Sequence, residues 1–548
     1  MIGRAVLVVA IVVVSAITYP GALLVSLATR VAPFSDTGKG PTGALPWLHV
    51  DHPAAGAPFI ADDQGRMVLL HGSIPASLLE FGNASPNPID PAGYAGGQCP
   101  AGVKGSNYPP LCQSDVDAMA AMGFNSMRLP LSWSLLEPQR GQFNAMYVDR
   151  IAQIVDWARA DHIYVIVDMH QNAFSHFVGG GPGVNPGSNS GAPQWATFTD
   201  GFPSRVYGGN REVNPAVLEA NSNFWYDRDG IQDEYIAAVA RLARQFKDDS
   251  TVAGFGIYNE PWFGWNLPPG FDDLVLFPFY RRVIDAITGV RDGLPCWSGF
   301  FMPAPCGYRD LDVGDHKHLM FLDTGLLREI TDFPTHLGLP VSSYPNVVLS
   351  LHAYTHIYTA DYFLGLPRDS YPWAGFDQSW DLAEREAKAM DVALFLEEFG
   401  SEPGKDDSAL LAKQLLEAEK HRTGFAFWVW AENDGTWGLF DGKKGCVGQQ
   451  RERLLARVYP RLISAPDAMF HYDPADGRFS MQGAGGPAGA TTVVYIPPEV
   501  RGQVTSDGAV RVVVSEEADG SRLVVASPSG GRFTIAVAPA PLHLTGCE

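Results

Sequence analysis

The sequence is poor in cysteine and in basic residues. Six of its 548 residues are cysteine, and 39 lysines and arginines stand against 60 aspartates and glutamates, for a net charge of −21. This acidic excess argues against a nucleic-acid-binding protein and against attachment to anionic lipid by charge alone. No cysteine spacing is typical of a zinc site, and no glycine-rich phosphate loop follows the first predicted strand, which weakens a nucleotide-binding hypothesis. The hydrophobic fraction of 46% is enough for a large core and more than one domain.

A long apolar segment lies at the N-terminus. Arg4 precedes the run from Ala5 to Ala28, which Pro20 interrupts. A basic start before an apolar run is typical of a secretory signal, but this run approaches the ~20 residues that span a bilayer. Residues 1–30 are therefore predicted to be a cleaved signal or a retained membrane anchor. Either one places the rest of the chain outside the cytoplasm.

The cysteines agree with export, because an even number of cysteines outside the cytoplasm indicates disulfides. Proximity along the chain favours the pairs Cys99–Cys112 and Cys296–Cys306. Cys446–Cys547 is then left as the third pair. Other connectivities remain open at this point.

Short β-type runs alternate with helical patterns over most of the chain. The run Ile163 to His170 is apolar on both faces, as in a parallel strand covered by helices. The repeated unit predicts an α/β fold, a (β/α)8 TIM barrel over residues 45–460. After it, short alternating strands joined by Gly, Pro, Asp and Ser predict a C-terminal antiparallel β-sandwich at residues 463–548. Met67 to Gly72 is predicted as one strand, and a helix is predicted to begin at an N-cap on Ser114.

Two glutamates follow apolar strands, where barrel enzymes keep their catalytic groups. Glu260 ends the run VAGFGIYNE, and Glu398 lies at the end of VALFLEE, three barrel strands later. An acid in such a place is costly to bury unless it is used or paired. Glycoside cleavage needs two such carboxyls, one to protonate the leaving oxygen and one to attack the sugar carbon or activate water. A solvated loop residue is the alternative for either one alone. No cofactor is expected, because two carboxylates suffice.

The motif IYNEP resembles the acid/base motif of glycoside hydrolase family 5, and LEEFG resembles its nucleophile motif. The order DMHQN, GAPQWA, IYNEPW, LHAY and EEFG, followed by a sandwich, is similar to that of the endoglycoceramidases, which release an intact glycan from ceramide. The resemblance implies a retaining hydrolase with Glu260 as general acid/base and Glu398 as nucleophile. Glu397 is expected to point to the opposite face of its strand.

The resemblance also implies roles for further residues at strand ends. Arg128 pairs with Glu398, Asn259 holds the sugar 2-hydroxyl, and Tyr354 donates a hydrogen bond to the nucleophile. Trp430 stacks on the sugar, with Trp428 as the alternative. The other expected lining residues are His170, Asn172 and His352. Endoglycoceramidases carry aspartate at the Asn172 position, and asparagine keeps the hydrogen-bonding geometry without the charge. For lone histidines and tryptophans, a core role is the usual alternative.

Aromatic residues crowd behind the acid/base motif, from Trp262 to Tyr280. Trp262 and Trp265 are candidates for lining a groove for the ceramide chains and for a membrane-surface contact. Sugar platforms, and ordinary helix packing for Leu274 to Tyr280, are the alternatives.

The predicted function is therefore an exported, retaining endo-β-glycosidase that acts on glycosphingolipids. The alternatives are a polysaccharide-cleaving endoglucanase or mannanase of the same family, an exo-acting glucosylceramidase, and a catalytically silent glycolipid-binding protein. The presence of both glutamates argues against the last of these.

Overall fold

The computed structural model describes residues 41–80, 89–99, 108–181, 189–207, 211–266, 270–291, 309–331, 342–354, 376–400, 408–433, 437–486 and 489–547. The predicted leader or anchor and the predicted pair Cys296–Cys306 lie outside these residues. Among the described helices, none combines the length and the apolar character that crossing a membrane requires.

Eight parallel strands close into a barrel in chain order, which confirms the predicted (β/α)8 fold. Three short strands precede it: β1 (His49–Asp51), β2 (Phe59–Ala61) and β3 (Met67–Val68). The barrel strands are β4 (His71–Ser73), β5 (Ser126–Leu131), β6 (Tyr164–Met169), β7 (Val252–Gly256), β8 (Leu319–Asp323), β9 (Val347–His352), β10 (Ala393–Phe399) and β11 (Phe425–Phe427). The last strand pairs with the first, Phe425 opposite His71, so the carboxyl ends of all eight strands form one rim.

Helices connect and cover the strands. They are α1 (Gln113–Ala121), α2 (Trp133–Leu136), α3 (Ala145–Ala160), α4 (Pro215–Trp225), α5 (Ile231–Phe246), α6 (Phe277–Thr288), α7 (Leu326–Thr331), α8 (Phe376–Met390), α9 (Ser408–Lys420) and α10 (Gln449–Leu455). The start of α3 shows the expected N-cap, since the Asn144 side chain accepts from the Tyr147 amide. The N-cap of α1 is Cys112 and not Ser114, because Asp115 accepts from the Cys112 amide at 2.8 Å and closes the first turn earlier.

A nine-stranded, largely C-terminal sheet packs beside the barrel, and the described pairings in it are antiparallel. Its C-terminal strands are β15 (Tyr459–Ile463), β16 (Met469–Asp473), β17 (Arg478–Ala484), β18 (Thr492–Ile496), β19 (Val504–Glu516) and β20 (Arg522–Val537). The sheet also contains β1 to β3, with Met67 paired to Ile463. The predicted single strand Met67 to Gly72 is thus two strands, one in each sheet. A small third sheet holds β12 (Ala431–Glu432), β13 (Phe440–Asp441) and β14 (Cys446–Val447).

Residues just before β1 cover the amino-terminal end of the barrel. The Trp47 ring packs edge-on against His318, directly before β8, with centroids 5.1 Å apart. The Tyr164 hydroxyl, at the start of β6, donates to the Pro46 carbonyl at 2.8 Å. The chain therefore enters the fold at the end opposite to the rim.

Two disulfides lie within the described part of the chain, and both match predicted pairs: Cys99–Cys112 and Cys446–Cys547. The second closes a sequence separation of 101 residues, and the first only 13. Because loop closure costs more entropy in a longer loop, replacing Cys446 and Cys547 by serine is expected to lower the free energy of unfolding by about 4–5 kcal/mol. The matched Cys99/Cys112 double variant should lose about 3 kcal/mol or less. Urea unfolding of both variants measures the difference, and a larger loss at the short loop would contradict it.

Candidate active site

Glu260 and Glu398 meet at the carboxyl end of the barrel. Glu260 follows β7 in a turn with a positive φ of 43°, and Glu398 lies near the end of β10. One carboxyl oxygen of each lies within 4.8 Å of the other and of a His352 ring nitrogen. Their side chains are 18% and 7% exposed. Such a close approach is compatible with the carboxyl separation of retaining glycosidases (~5–5.5 Å) and is shorter than the wider separation of inverting ones.

Arg128 holds one side of this pair. Its side chain is 0% exposed, and Nη1 lies 2.5 Å from Glu398 Oε2. Nη2 donates to Asn259 Oδ1 at 2.7 Å and lies 3.1 Å from Asp168 Oδ1. The Tyr354 hydroxyl donates to the other Glu398 oxygen at 2.8 Å. Glu398 is therefore fixed by a cation on one oxygen and a hydroxyl on the other.

Glu397 contacts the same guanidinium as its neighbour Glu398. Its Oε1 lies 3.1 Å from Arg128 Nε, and its side chain is 0% exposed. The expectation that Glu397 points to the opposite face is wrong, because the register of β10 against β9 shifts between Leu396 and Glu398. Such a bulge places two successive residues opposite one and breaks the alternation of side chains.

His352 connects the other side of the pair. Its Nδ1 lies 3.2 Å from Glu260 Oε1, and its Nε2 lies 3.2 Å from Asp323 Oδ2. Asp323 also accepts from the Glu260 amide at 2.9 Å, which fixes the turn that carries the acid. A further buried acid, Glu329 from α7, lies 3.6 Å from His352 Nδ1. Sequence reasoning did not single out Asp323 or Glu329.

Burial and charge set the protonation of these groups. Burial lowers the pKa of His352, but Asp323, Glu329 and Glu398 outweigh it and raise that pKa well above its ordinary value. Burial raises the pKa of Glu260, but the hydrogen bond and charge of His352 bring it below its ordinary value. Burial raises the pKa of Glu329 well above its ordinary value. In the free site the proton between His352 and Glu260 therefore lies on the histidine.

The rim beside β6 carries the remaining polar groups. His170 Nδ1 lies 2.9 Å from Asp168 Oδ2, so the ring is oriented from below. Asn172 is buried, and its Oδ1 accepts from Arg211 Nη2 at 2.5 Å. Gln171 donates to the Asn259 and Glu260 carbonyls at 2.8 and 2.9 Å and so ties β6 to the acid-bearing turn. Sequence reasoning missed two of these residues. Arg211 lies in the long connection between β6 and α4, and Gln171 lies between the predicted site residues His170 and Asn172.

The comparisons with known proteins agree with this geometry. Residues 91–292 match the model of cellulase, glycosyl hydrolase family 5. Endoglycoceramidase I of Rhodococcus hoagii is 25% identical over 84% of this chain and 85% of its own length. The chain is a glycoside hydrolase, and over residues 91–292 it is similar to family 5.

Solved structures show the same fold. A crystal structure of an endogalactoceramidase superimposes with a TM-score of 0.68 at 25% identity, over 90% of this chain and all of that one. Endo-glycoceramidase II from Rhodococcus sp., solved as a lactosyl-enzyme intermediate, gives a TM-score of 0.67 at 22% identity, over 88% of this chain and 99% of that one.

In this glycoside hydrolase, Trp428 and not Trp430 lies at the barrel mouth. Trp428 stacks on His170 with centroids 5.7 Å apart and planes at 10°. Trp430 is buried, stacks on Phe440 and donates through Nε1 to Asp115 at 3.1 Å. The placement of Trp430 on the sugar is corrected accordingly. β11 ends at Phe427, before either tryptophan, so the alternation of side chains along a strand does not place Trp428 and Trp430 on one face.

The two groove candidates of this glycoside hydrolase have different surroundings. Trp262 is buried, with its carbonyl accepting from Trp225 Nε1 at 2.7 Å. Trp265 is 51% exposed, and its ring lies 5.6 Å from that of Phe202, which is 42% exposed. The stretch Leu274 to Tyr280 is mostly buried at the start of α6, in agreement with the helix-packing alternative. Trp265 alone of the two candidates therefore offers an apolar surface to solvent.

Proposed function

We propose that this glycoside hydrolase is an exported, retaining endo-β-glycosidase that cleaves glycosphingolipids between the glycan and ceramide. The observation that carries the proposal is the close approach of Glu260 and Glu398, with Arg128 and Tyr354 holding the second of them. The substrate class follows from the relatives. Two of them are named endoglycoceramidase and endogalactoceramidase, and the Rhodococcus sp. relative has also been solved in complex with ganglioside GM3. Export is supported by the N-terminal apolar segment and the disulfides.

Glycosylation begins with attack by the ionised Glu398 carboxylate on the anomeric carbon. The bond from that carbon to the ceramide oxygen breaks, and the oxygen takes the proton from Glu260. Because that proton lies on His352 Nδ1 in the free site, it moves to Glu260 Oε1 along the 3.2 Å contact as the substrate displaces water. A substrate-filled site favours the neutral carboxyl, since desolvation raises the pKa of an acid.

Deglycosylation returns the site to its starting state. Glu260, now a carboxylate, accepts a proton from a water that attacks the anomeric carbon, and the bond to Glu398 breaks with release of the glycan. The proton then passes from Glu260 back to His352 Nδ1 along the same contact. Asn259 is positioned for the sugar 2-hydroxyl, since Arg128 and the Gln171 carbonyl fix its amide and leave one N–H available. Trp428, His170 and Asn172 line the side of the mouth that the sugar ring faces.

The ceramide end is proposed to contact the exposed aromatic pair Phe202 and Trp265. Both lie on loops that follow barrel strands, on the same end of the barrel as Glu260. Replacing both by alanine is expected to raise KM for a glycolipid in vesicles about 10- to 100-fold, because each ring is already about half buried and lipid contact adds roughly half of the about 1.5–3 kcal/mol for full burial of a large apolar side chain. Hydrolysis of a soluble aryl β-glycoside should change far less. Met469→Ala, an exposed apolar residue of β16, is the matched control. Equal losses on both substrates would contradict the contact.

The identity of the hydrolysis products decides which class of substrate the enzyme cleaves. The protein is incubated with a ganglioside in detergent and, separately, with a soluble β-glucan and a mannan, and the products are identified by mass spectrometry. Free intact oligosaccharide plus ceramide supports the proposal. Glucan or mannan fragments alone support the polysaccharide-cleaving alternative, and stepwise loss of single sugars supports an exo-acting enzyme.

A further inference from the structure

Glu397 is a buried acid that the mechanism above does not use. Its side chain is 0% exposed and lies beneath the carboxyl pair, where the bulge in β10 turns it inward. The charged and titratable groups that face it come from β5, β6, β8, β9 and α6: Arg128, Asp168, Asp323, His352 and Tyr280.

The charges around Glu397 require a proton among the acids. Arg128 Nη1 and Nη2 are directed at Glu398, Asn259 and Asp168, so that only Nε remains for Glu397. The second neighbour of Glu397 is the carboxyl of Asp323, and one oxygen of each lies within 4.8 Å of the other and of a His352 ring nitrogen. Two buried carboxyl groups this close do not both ionise, because their like charges repel, so one of them carries a proton. Asp323 is the one held ionised, since its Oδ2 faces His352 Nε2 at 3.2 Å and accepts the Glu260 amide at 2.9 Å.

We propose that Glu397 is a positioning residue that carries a proton and donates it in a hydrogen bond to Asp323, which in turn orients His352 toward the acid/base Glu260. In agreement with this placement, burial raises the pKa of Glu397 to about 8 despite the opposing charge of Arg128. The proposal rests on the proposed function only for the role of Glu260.

The hydrogen bond from Glu397 has a consequence for proton delivery. A donor on Asp323 reduces the negative charge that faces His352, so the imidazolium binds its proton less tightly and Glu260 receives it more readily. With no donor, the full charge of Asp323 raises the pKa of His352 and keeps the proton on the ring. Through the series of contacts Glu397–Asp323–His352–Glu260, Glu397 thus adjusts how readily Glu260 receives its proton, although Glu397 does not contact the substrate.

The first test compares Glu397→Ala with Glu397→Gln on a soluble aryl β-glycoside with a poor leaving group. The alanine variant is expected to lose about tenfold or more in kcat and to shift the basic limb of kcat/KM to higher pH, because His352 holds its proton more tightly. The glutamine variant can still donate to Asp323, so it should restore the position of that limb. A loss of packing alone would lower activity without moving the limb. An alanine variant with an unmoved limb, or a glutamine variant that shifts as far as alanine, would overturn the proposal.

The second test needs no substrate and therefore separates this proposal from the proposed function. Folded Glu397 keeps its proton up to about pH 8, whereas its ordinary value is 4.5. The folded state binds more protons across this interval, so the wild type loses stability as the pH rises through it, and the glutamine variant lacks that loss. The melting temperature of the wild type should fall relative to that of Glu397→Gln between about pH 5 and about pH 8. Parallel melting curves would show that Glu397 is ionised when folded and would refute the proposal even if glycolipid is cleaved. A wild type that cleaves no glycolipid, with diverging curves, would refute only the substrate assignment.

Discussion

Glu398→Gln is expected to lower kcat on every β-glycoside by about 10⁴-fold or more, the scale of removing a nucleophile. The amide has the shape of the carboxylate but cannot form the glycosyl ester. Because Arg128 and Tyr354 both hold this side chain, an amide in its place also leaves the buried guanidinium without one anionic partner. Steady-state kinetics on a glycolipid and on an activated aryl glycoside measure the loss, which should be equally severe on both.

Glu260→Gln distinguishes the acid/base role of Glu260 from the nucleophilic role of Glu398. Without a general acid, hydrolysis of glycosides with poor leaving groups should fall by about 10²–10⁴-fold. A dinitrophenyl glycoside needs no proton on its leaving oxygen, so its first step should persist, and added azide should restore turnover by replacing the activated water. The same leaving-group pattern in Glu398→Gln, or near-normal activity in either variant, would contradict the assignment of the pair.

Arg128→Met is expected to lower the free energy of unfolding by about 3–5 kcal/mol at neutral pH, because it leaves buried carboxylates without their cation. The side chain is 0% exposed and contacts the carboxylates of Asp168 and Glu398, beside Glu397, which is proposed to be protonated. The loss should shrink as the pH falls through the ordinary carboxyl range, since protonation removes the unpaired charge. Denaturant unfolding over this pH range measures both effects.

A surface arginine with a similar set of partners is the matched control. Arg140 lies 3.0 Å from Asp229 and 3.1 Å from Glu234, but its side chain is 40% exposed. Arg140→Met should cost less than about 1 kcal/mol, because solvent screens exposed ion pairs. Arg128→Lys should recover only part of the loss, since one ammonium cannot reach donors on three sides. Equal losses for Arg128→Met and Arg140→Met would refute the argument.

Sequence reasoning located Glu260 and Glu398 because a parallel barrel brings every strand end to one rim, whatever lies between them. The barrel strands could be predicted because they are buried on both faces, and such strands appear in the sequence as continuous apolar runs. The failures occur where local backbone departs from the regular pattern. The bulge at Glu397 and the end of β11 before Trp428 both break the alternation on which side-chain directions depend.

Contacts across the barrel were beyond the reach of the sequence for another reason. The pairing of His352 with both Asp323 and Glu260 joins three strand ends that are far apart in the chain. A histidine at a strand end is equally compatible with a core role, and only its neighbours decide. Trp262 and Trp265 illustrate the same point, since one is buried and the other exposed at a spacing of three residues.

The entry of the chain beneath the barrel, through Pro46 and Trp47 against Tyr164 and His318, bears on the orientation of an anchored form. If residues 1–30 are retained as an anchor, they precede the end of the barrel opposite to the catalytic opening. Lipids of a facing membrane or of released micelles are then expected to reach that opening more readily than lipids beside the anchor. A cleaved leader imposes no such direction, so the fate of that segment decides which pool of glycolipid is within reach.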